Sequence, residues 1–152
     1  MDSKMNVEIE KEWKTNAGYN AFITVCIYDS KIKYIKDKWR CGYVQIPKEH
    51  PWYGKSYEHT VSVEQKEERL KRPIGGLISS PMQTILLANE PEMSIASYID
   101  VHGGVTFMET NDKGECWVGF DCNHLDDRFE IQTLEYCVEQ CESMAQQLKD
   151  VE

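Results

Sequence analysis

A chain of 152 residues, 41% hydrophobic and 28% charged, has the size and composition of one folded domain. Such a length buries roughly 70% of the surface that the unfolded chain exposes. An aromatic content of 11% argues against disorder, and no apolar run reaches the ~20 residues that cross a bilayer.

The formal net charge is −9 and belongs to the last third. Residues 1–100 hold 14 acidic and 14 basic side chains, whereas residues 101–152 hold 12 and 3. An acidic body repels duplex nucleic acid and anionic lipid. A small anionic ligand stays open wherever basic side chains or backbone N–H groups meet it. The opening residues Met1-Asp2-Ser3-Lys4 lack the basic-then-apolar pattern of a secretion signal, so a cytoplasmic location is expected.

The first segment with a pattern, Val7 to Glu10, alternates weakly and reads as an edge strand or an arm. Asn16-Ala17-Gly18 is a turn signal. Ala21 to Tyr28 is β-branched and aromatic and predicts a buried strand. Asp29 to Lys38 is lysine-rich and reads as a hairpin or a short helix. Cys41 to Pro47 predicts a second strand, followed by a compact loop at His50 to Gly54.

Residues 58–97 form a helical or loop insert. Within it, Val63 to Arg72 is helix-forming up to Pro73, Ile74 to Leu77 is a turn, and Pro81 to Asn89 is a second short helix. Val101 to Met108 and Glu115 to Asp121 then predict a hairpin around Asn111-Asp112-Lys113-Gly114.

Ile131 to Asp150 predicts a helix, because Leu134, Cys137, Val138, Cys141, Met144, Ala145 and Leu148 make one apolar stripe at helical spacing. The expected fold is therefore α+β: one domain, 1–152, with a small, mainly antiparallel sheet covered by a C-terminal helix. The insert at 58–97 is read as a flap or as a contact in a homo-oligomer.

Chemistry concentrates in three segments. His50 to Tyr57 contains an imidazole, an indole, two phenols and an ammonium group, and so offers Tyr53, Lys55 and Tyr57 for stacking and phosphate binding. The alternative is an aromatic loop folded back on the sheet. His102-Gly103-Gly104 suits close approach of a ligand or backbone, with glycine N–H groups aimed at an anion. A strand bulge is the alternative there.

Asp121 to Arg128 places Asp121, His124 and Asp126 within a few residues, a dense set of acids, bases and ligands. Asp126 or Asp127 could alternatively cap the following helix. The basic Arg69, Lys71 and Arg72 before Gly75-Gly76 read mainly as a solvated face, with a flap that grips a phosphate as the alternative.

None of the histidine spacings is a metal signature, and no CxxC pair occurs. No metal and no cofactor is therefore expected. The cysteines Cys26, Cys41, Cys116, Cys122, Cys137 and Cys141 are expected to be buried free thiols. Cys122, beside Asp121, is expected to be a poor nucleophile.

Three blocks carry a resemblance. GYVQIPKEHPWYGKSY at 42–57, VHGGVTF at 101–107 and CWVGFDCNHLDD at 116–127 resemble an uncharacterised family of small phage and bacterial proteins. Its pattern is GYVxIPxxHPxYGxxY, then VHGGxTF, then WxGFDCxHxxD. Tyr136-Cys137-Val138-Glu139 and Leu148 also look similar, and the likeness covers about half of the chain. Two departures stand out: about 40 residues separate the first two blocks, and Cys116 stands where a second aromatic is common.

The resemblance implies a phage setting, hence a role in evading host defence from within the host cytosol. The leading expectation is a non-enzymatic binder that sequesters a small nucleotide-derived immune signal. Its pocket would use His50, Tyr53, Lys55, Tyr57, His102, Gly103, Gly104, Asp121, His124 and Asp126. A hydrolase or lyase using His102 and His124 as acid and base, oriented by Asp121 or Asp126, is the alternative. A protein-binding inhibitor acting through the acidic helix is a third.

Overall fold

A computed structural model of the chain describes residues 5–28, 37–71 and 92–152. The reading made for Asp29 to Lys38 lies, over 29–36, outside the described residues, as do those for the turn at Ile74 to Leu77 and the helix at Pro81 to Asn89.

Five strands form one antiparallel sheet: β1 (Met5–Lys14), β2 (Asn20–Tyr28), β3 (Lys38–Ile46), β4 (Phe107–Thr110) and β5 (Cys116–Asp121). Their order is β1-β2-β3-β5-β4, so the late hairpin docks through β5 onto β3. The helices are α1 (Val63–Leu70), α2 (Ile95–Tyr98) and α3 (Leu134–Val151). The fold is α+β.

The predicted apolar stripe of α3 is buried through Cys137, Cys141, Met144, Ala145 and Leu148. It lies on the sheet face made by Ala21, Ile23, Val44, Ile46, Cys116, Val118 and Phe120. Gly42 is where the helix comes nearest. A Cβ there would lie 2.5 Å from the Phe120 ring and 2.8 Å from Cys141 Sγ, so any side chain would lift the helix.

The helix starts three residues later than the apolar pattern suggested. Thr133 takes the N-cap position and its hydroxyl accepts from the Tyr136 N–H. Neither Asp126 nor Asp127 caps it. Ile131, included for its hydrophobicity, is 65% exposed. At the other end of the chain, a bulge between Ile9 and Lys11 turns β1 over. Met5, Val7 and Ile9 are exposed, while Trp13 reaches α3 and donates to Glu142.

The expected helix in the insert is α1. It begins at Ser62, which forms a capping box with Gln65, and its last helical residue is Leu70. All six cysteines are free and buried. Two pairs approach closely, with Sγ–Sγ distances of 3.8 Å for Cys26–Cys41 and 3.7 Å for Cys122–Cys137.

The His50 loop is part of this framework. His50 is 4% exposed. Its Nδ1 accepts from the Trp52 N–H, and its Nε2 donates to the Leu148 carbonyl near the end of α3. Burial lowers its pKa, against the raising effect of the Leu148 carbonyl. Below the ordinary histidine value of about 6.5, the unfolded chain therefore binds a proton that the folded chain resists. Stability is complete above that pH and declines as pH falls below it. Denaturant melts from pH 7.5 to 5.5 should show a shallower acid decline for His50→Gln than for the wild type. Parallel declines would show that His50 is not the group responsible.

Candidate active site at the end of strand β5

The end of β5 leads into a turn, Asp121 to Asp127, anchored on β3 by the Cys122 N–H bonded to the Arg40 carbonyl. Arg40 is itself buried. It pairs with Glu10 at 2.8 Å and donates to the carbonyls of Phe129 and Gln132. One strand side chain thus holds the whole segment that connects β5 to α3.

Asp127 sits at the centre of the turn and is 4% exposed. A carboxylate at that depth persists only if its oxygens are met by donors. Oδ2 accepts from the His124 backbone N–H and from His124 Nδ1, both at 2.9 Å. Oδ1 accepts from His102 Nε2 at 2.7 Å. Burial pushes the Asp127 pKa up, but the His124 backbone, the His124 ring and His102 together outweigh it, and the net shift is downward. Asp127 is thus an ionised bridge between two imidazoles.

These bonds assign the tautomers. His102 donates from Nε2, so its Nδ1 accepts from the Tyr136 hydroxyl at 2.6 Å. Burial raises the Tyr136 pKa and keeps that hydroxyl protonated. His124 donates from Nδ1, which leaves its Nε2 as a lone-pair acceptor. Asp121 lies 3.7 Å from His124 Nδ1, beyond hydrogen-bond range, and accepts from the Asn123 N–H instead.

The loop that carries His102 is tied to the polar side of α3. The His102 N–H donates to the Gln140 side chain, and the Asp100 N–H and carbonyl bond to the side-chain amide of Gln147, which accepts from the first and donates to the second. Gly103 then lets the two histidine segments meet. With φ at +67°, its α-carbon lies against the His124 ring, and a Cβ would fall 2.2 Å from Cε1. The close approach expected at the glycine pair is therefore made by a side chain. Gly104 has open space around it, and its N–H donates to the Val101 carbonyl. That donor is spent on a turn, so the expectation that it meets an anion is corrected.

In front of His124 and Asp127 opens a cleft of about 1060 Å³. Tyr28, Trp39 and Phe129 contribute aromatic surface, Lys38 and Arg128 contribute cations, and Asp37 and Glu130 contribute carboxylates. His124 is 40% exposed at the side chain, whereas His102 is 16% exposed and stands behind Asp127. Cys122 also lines the cleft, but its bond to Cys137 and its burial push its pKa up, which keeps it protonated and unreactive.

The three sequence segments therefore do not share one pocket. His102, Gly103, His124 and, at longer range, Asp121 converge. His50 does not: it meets Leu148, about 18 Å along the α3 axis from Tyr136. Its ring nitrogens are consumed by backbone, as in an aromatic loop folded onto the core. The Tyr53 hydroxyl bonds to the Gly114 carbonyl in the β4–β5 turn, at the end of β5 remote from His124. Lys55 and Tyr57 are exposed, and Tyr57 lies beside β4.

Asp126 is exposed, and the neighbouring Asp127, which is buried, makes the histidine contacts expected of Asp126. Asp127 and Tyr136 are the residues that sequence reasoning missed. The signal for Asp127 was its offset of three from His124, which a tight turn converts into contact.

Two glycine variants separate shape from strain. Gly103→Ala should cost about 2–4 kcal/mol, because it adds a steric clash to a left-handed backbone. It should also shift the His124 ring resonances in ¹⁵N-histidine spectra. Gly104→Ala should cost about 1 kcal/mol and leave those resonances in place. Equal effects of the two would refute the proposed packing of His124 on Gly103.

Compared with family models, with curated proteins and with solved structures, the chain matches none, so the reading of this site rests on its own geometry.

Proposed function

We propose that the protein binds a small nucleotide-derived anion in the cleft in front of His124. The observation that carries this reading is the company kept by two cations. In a chain of net charge −9, Lys38 and Arg128 line the same cleft as Trp39 and Tyr28. Cations meet phosphate, aromatic faces accept a base, and the carboxylates of Asp37 and Glu130 accept from ribose hydroxyls. The biological setting, sequestration of an immune signal by a phage-type protein, is supported by the motif resemblance alone and is the outermost part of the proposal.

A second reading is favoured by one observation, the orientation of His124. A buried carboxylate on Nδ1, with Nε2 left as the acceptor of a ring that lines the cleft, is the arrangement of a general base. In that reading the ligand is cleaved by a hydrolase or lyase, His124 transfers the proton, and Asp127 holds the imidazole. His102 would act through Asp127, since it stands behind the carboxylate. The third expectation, an inhibitor acting through the acidic helix, has less support: Gln140 and Gln147 on the polar side of α3 already hold the loop around residue 100.

Mass spectrometry of small molecules released by heat, followed by binding assays on a nucleotide panel, tests the proposal. Intact ligand released in stoichiometric amount supports binding, and substoichiometric protein that yields product supports cleavage. Trp39→Ala should weaken binding by the ~1–3 kcal/mol of a stacked base, and Lys38→Glu should weaken it further at low salt. Unchanged affinity in both variants would remove the cleft as the binding site.

A further inference from the structure

We infer that His102, His124 and Asp127 form a binding site for a single divalent transition-metal ion of the zinc class. Each offers one ligand atom, and these atoms all lie within 4.8 Å of one another. Two imidazole nitrogens and one carboxylate oxygen are a donor set suited to zinc and its first-row neighbours. Calcium and magnesium, which prefer oxygen alone, fit it poorly.

The proton positions can follow the ion. In the metal-free form, two protons fill the gaps between Asp127 and the rings, at 2.7 Å and 2.9 Å. A divalent ion that replaces both hydrogen bonds binds neutral imidazoles: each ring keeps its one proton and carries it on the outer nitrogen, Nδ1 of His102 and Nε2 of His124, and the Asp127 carboxylate offsets part of the ion's charge.

Two further features set this cluster apart from an ordinary hydrogen-bonded one. The outer nitrogen of His102 is held by the Tyr136 hydroxyl at 2.6 Å. With the metal on Nε2, the His102 proton sits on Nδ1 and donates to the Tyr136 oxygen, and a second nitrogen held in this way sets the ring orientation of a ligating histidine. His124 is positioned independently by the seat that Gly103 provides. The ligands are therefore fixed by groups outside the cluster, so little ordering remains to be done on binding. Three protein ligands, of which His124 and Asp127 line the cleft, match a site that keeps one position for a water or an anion. A metal here is compatible with a cleft that retains its ligand; with the metal on Nδ1, His124 carries its proton on Nε2 and does not serve as the general base.

The test uses untagged full-length protein, stripped with a chelator and titrated with zinc against a chromophoric competitor. One equivalent should bind, with a higher melting temperature. His102→Ala and His124→Ala should each lower affinity at least 100-fold, and Tyr136→Phe roughly 10-fold. His124→Gln, a milder change, guards against a folding defect, with circular dichroism as the check.

The cobalt(II) derivative should lack the near-ultraviolet sulfur-to-metal band, because the ligands are nitrogen and oxygen. Failure to bind one equivalent, affinity unchanged in the folded variants, or a thiolate band from the Cys122–Cys137 pair would each overturn the assignment. Nucleotide binding by stripped protein is a separate readout, so failure here is distinguishable from failure of the cleft proposal.

Discussion

A carboxylate buried to 4% exposure imposes a demand that only polar donors can meet, and much of the upper half of this molecule is arranged around that demand at Asp127. The donors come from different parts of the chain. The turn after β5 supplies the His124 backbone and ring, and the loop before β4 supplies His102. Through His102 the network reaches Tyr136 in the first turn of α3. Loops that would otherwise be independent are joined by one charge, and the ring left facing solvent, His124, is held in a defined orientation as a consequence.

The helix α3 serves two roles. Its apolar stripe covers the sheet, and its polar stripe at Tyr136, Gln140 and Gln147 receives the loop around residue 100. The distance at which the helix lies on the sheet therefore also sets the position of His102. At Gly42 there is no room for a side chain between the strand and the Phe120 ring and Cys141. Packing in the core and geometry at the site are linked through a rigid element, in the way that functional groups on scaffolds are generally held.

The two faces of the sheet differ in how they are finished. The α3 face is filled by helix side chains. The opposite face is finished by the strands' own aromatics, with Phe22 stacked on Tyr43 at 4.7 Å and edge-on to Trp117 at 4.8 Å. Trp39 stands beside this cluster at the border of the cleft. The aromatic wall offered to a ligand is in this sense a continuation of the sheet's own surface.

Local pattern alone determined the central strands, the late hairpin and the C-terminal helix, because period-2 and period-3.6 burial are written into short windows. It also determined that His102, Gly103, Asp121 and His124 belong to chemistry-rich segments. Tertiary structure decided which of these meet. His50 looked equivalent to the other two histidines, yet its nitrogens went to backbone, because the loop folds onto the far end of α3. Asp126 and Asp127 are neighbours of identical chemistry, and only the path of the turn selects the second for burial. Gly103 and Gly104 likewise differ only in what lies above them. Such choices depend on contacts across tens of residues, which no local window contains.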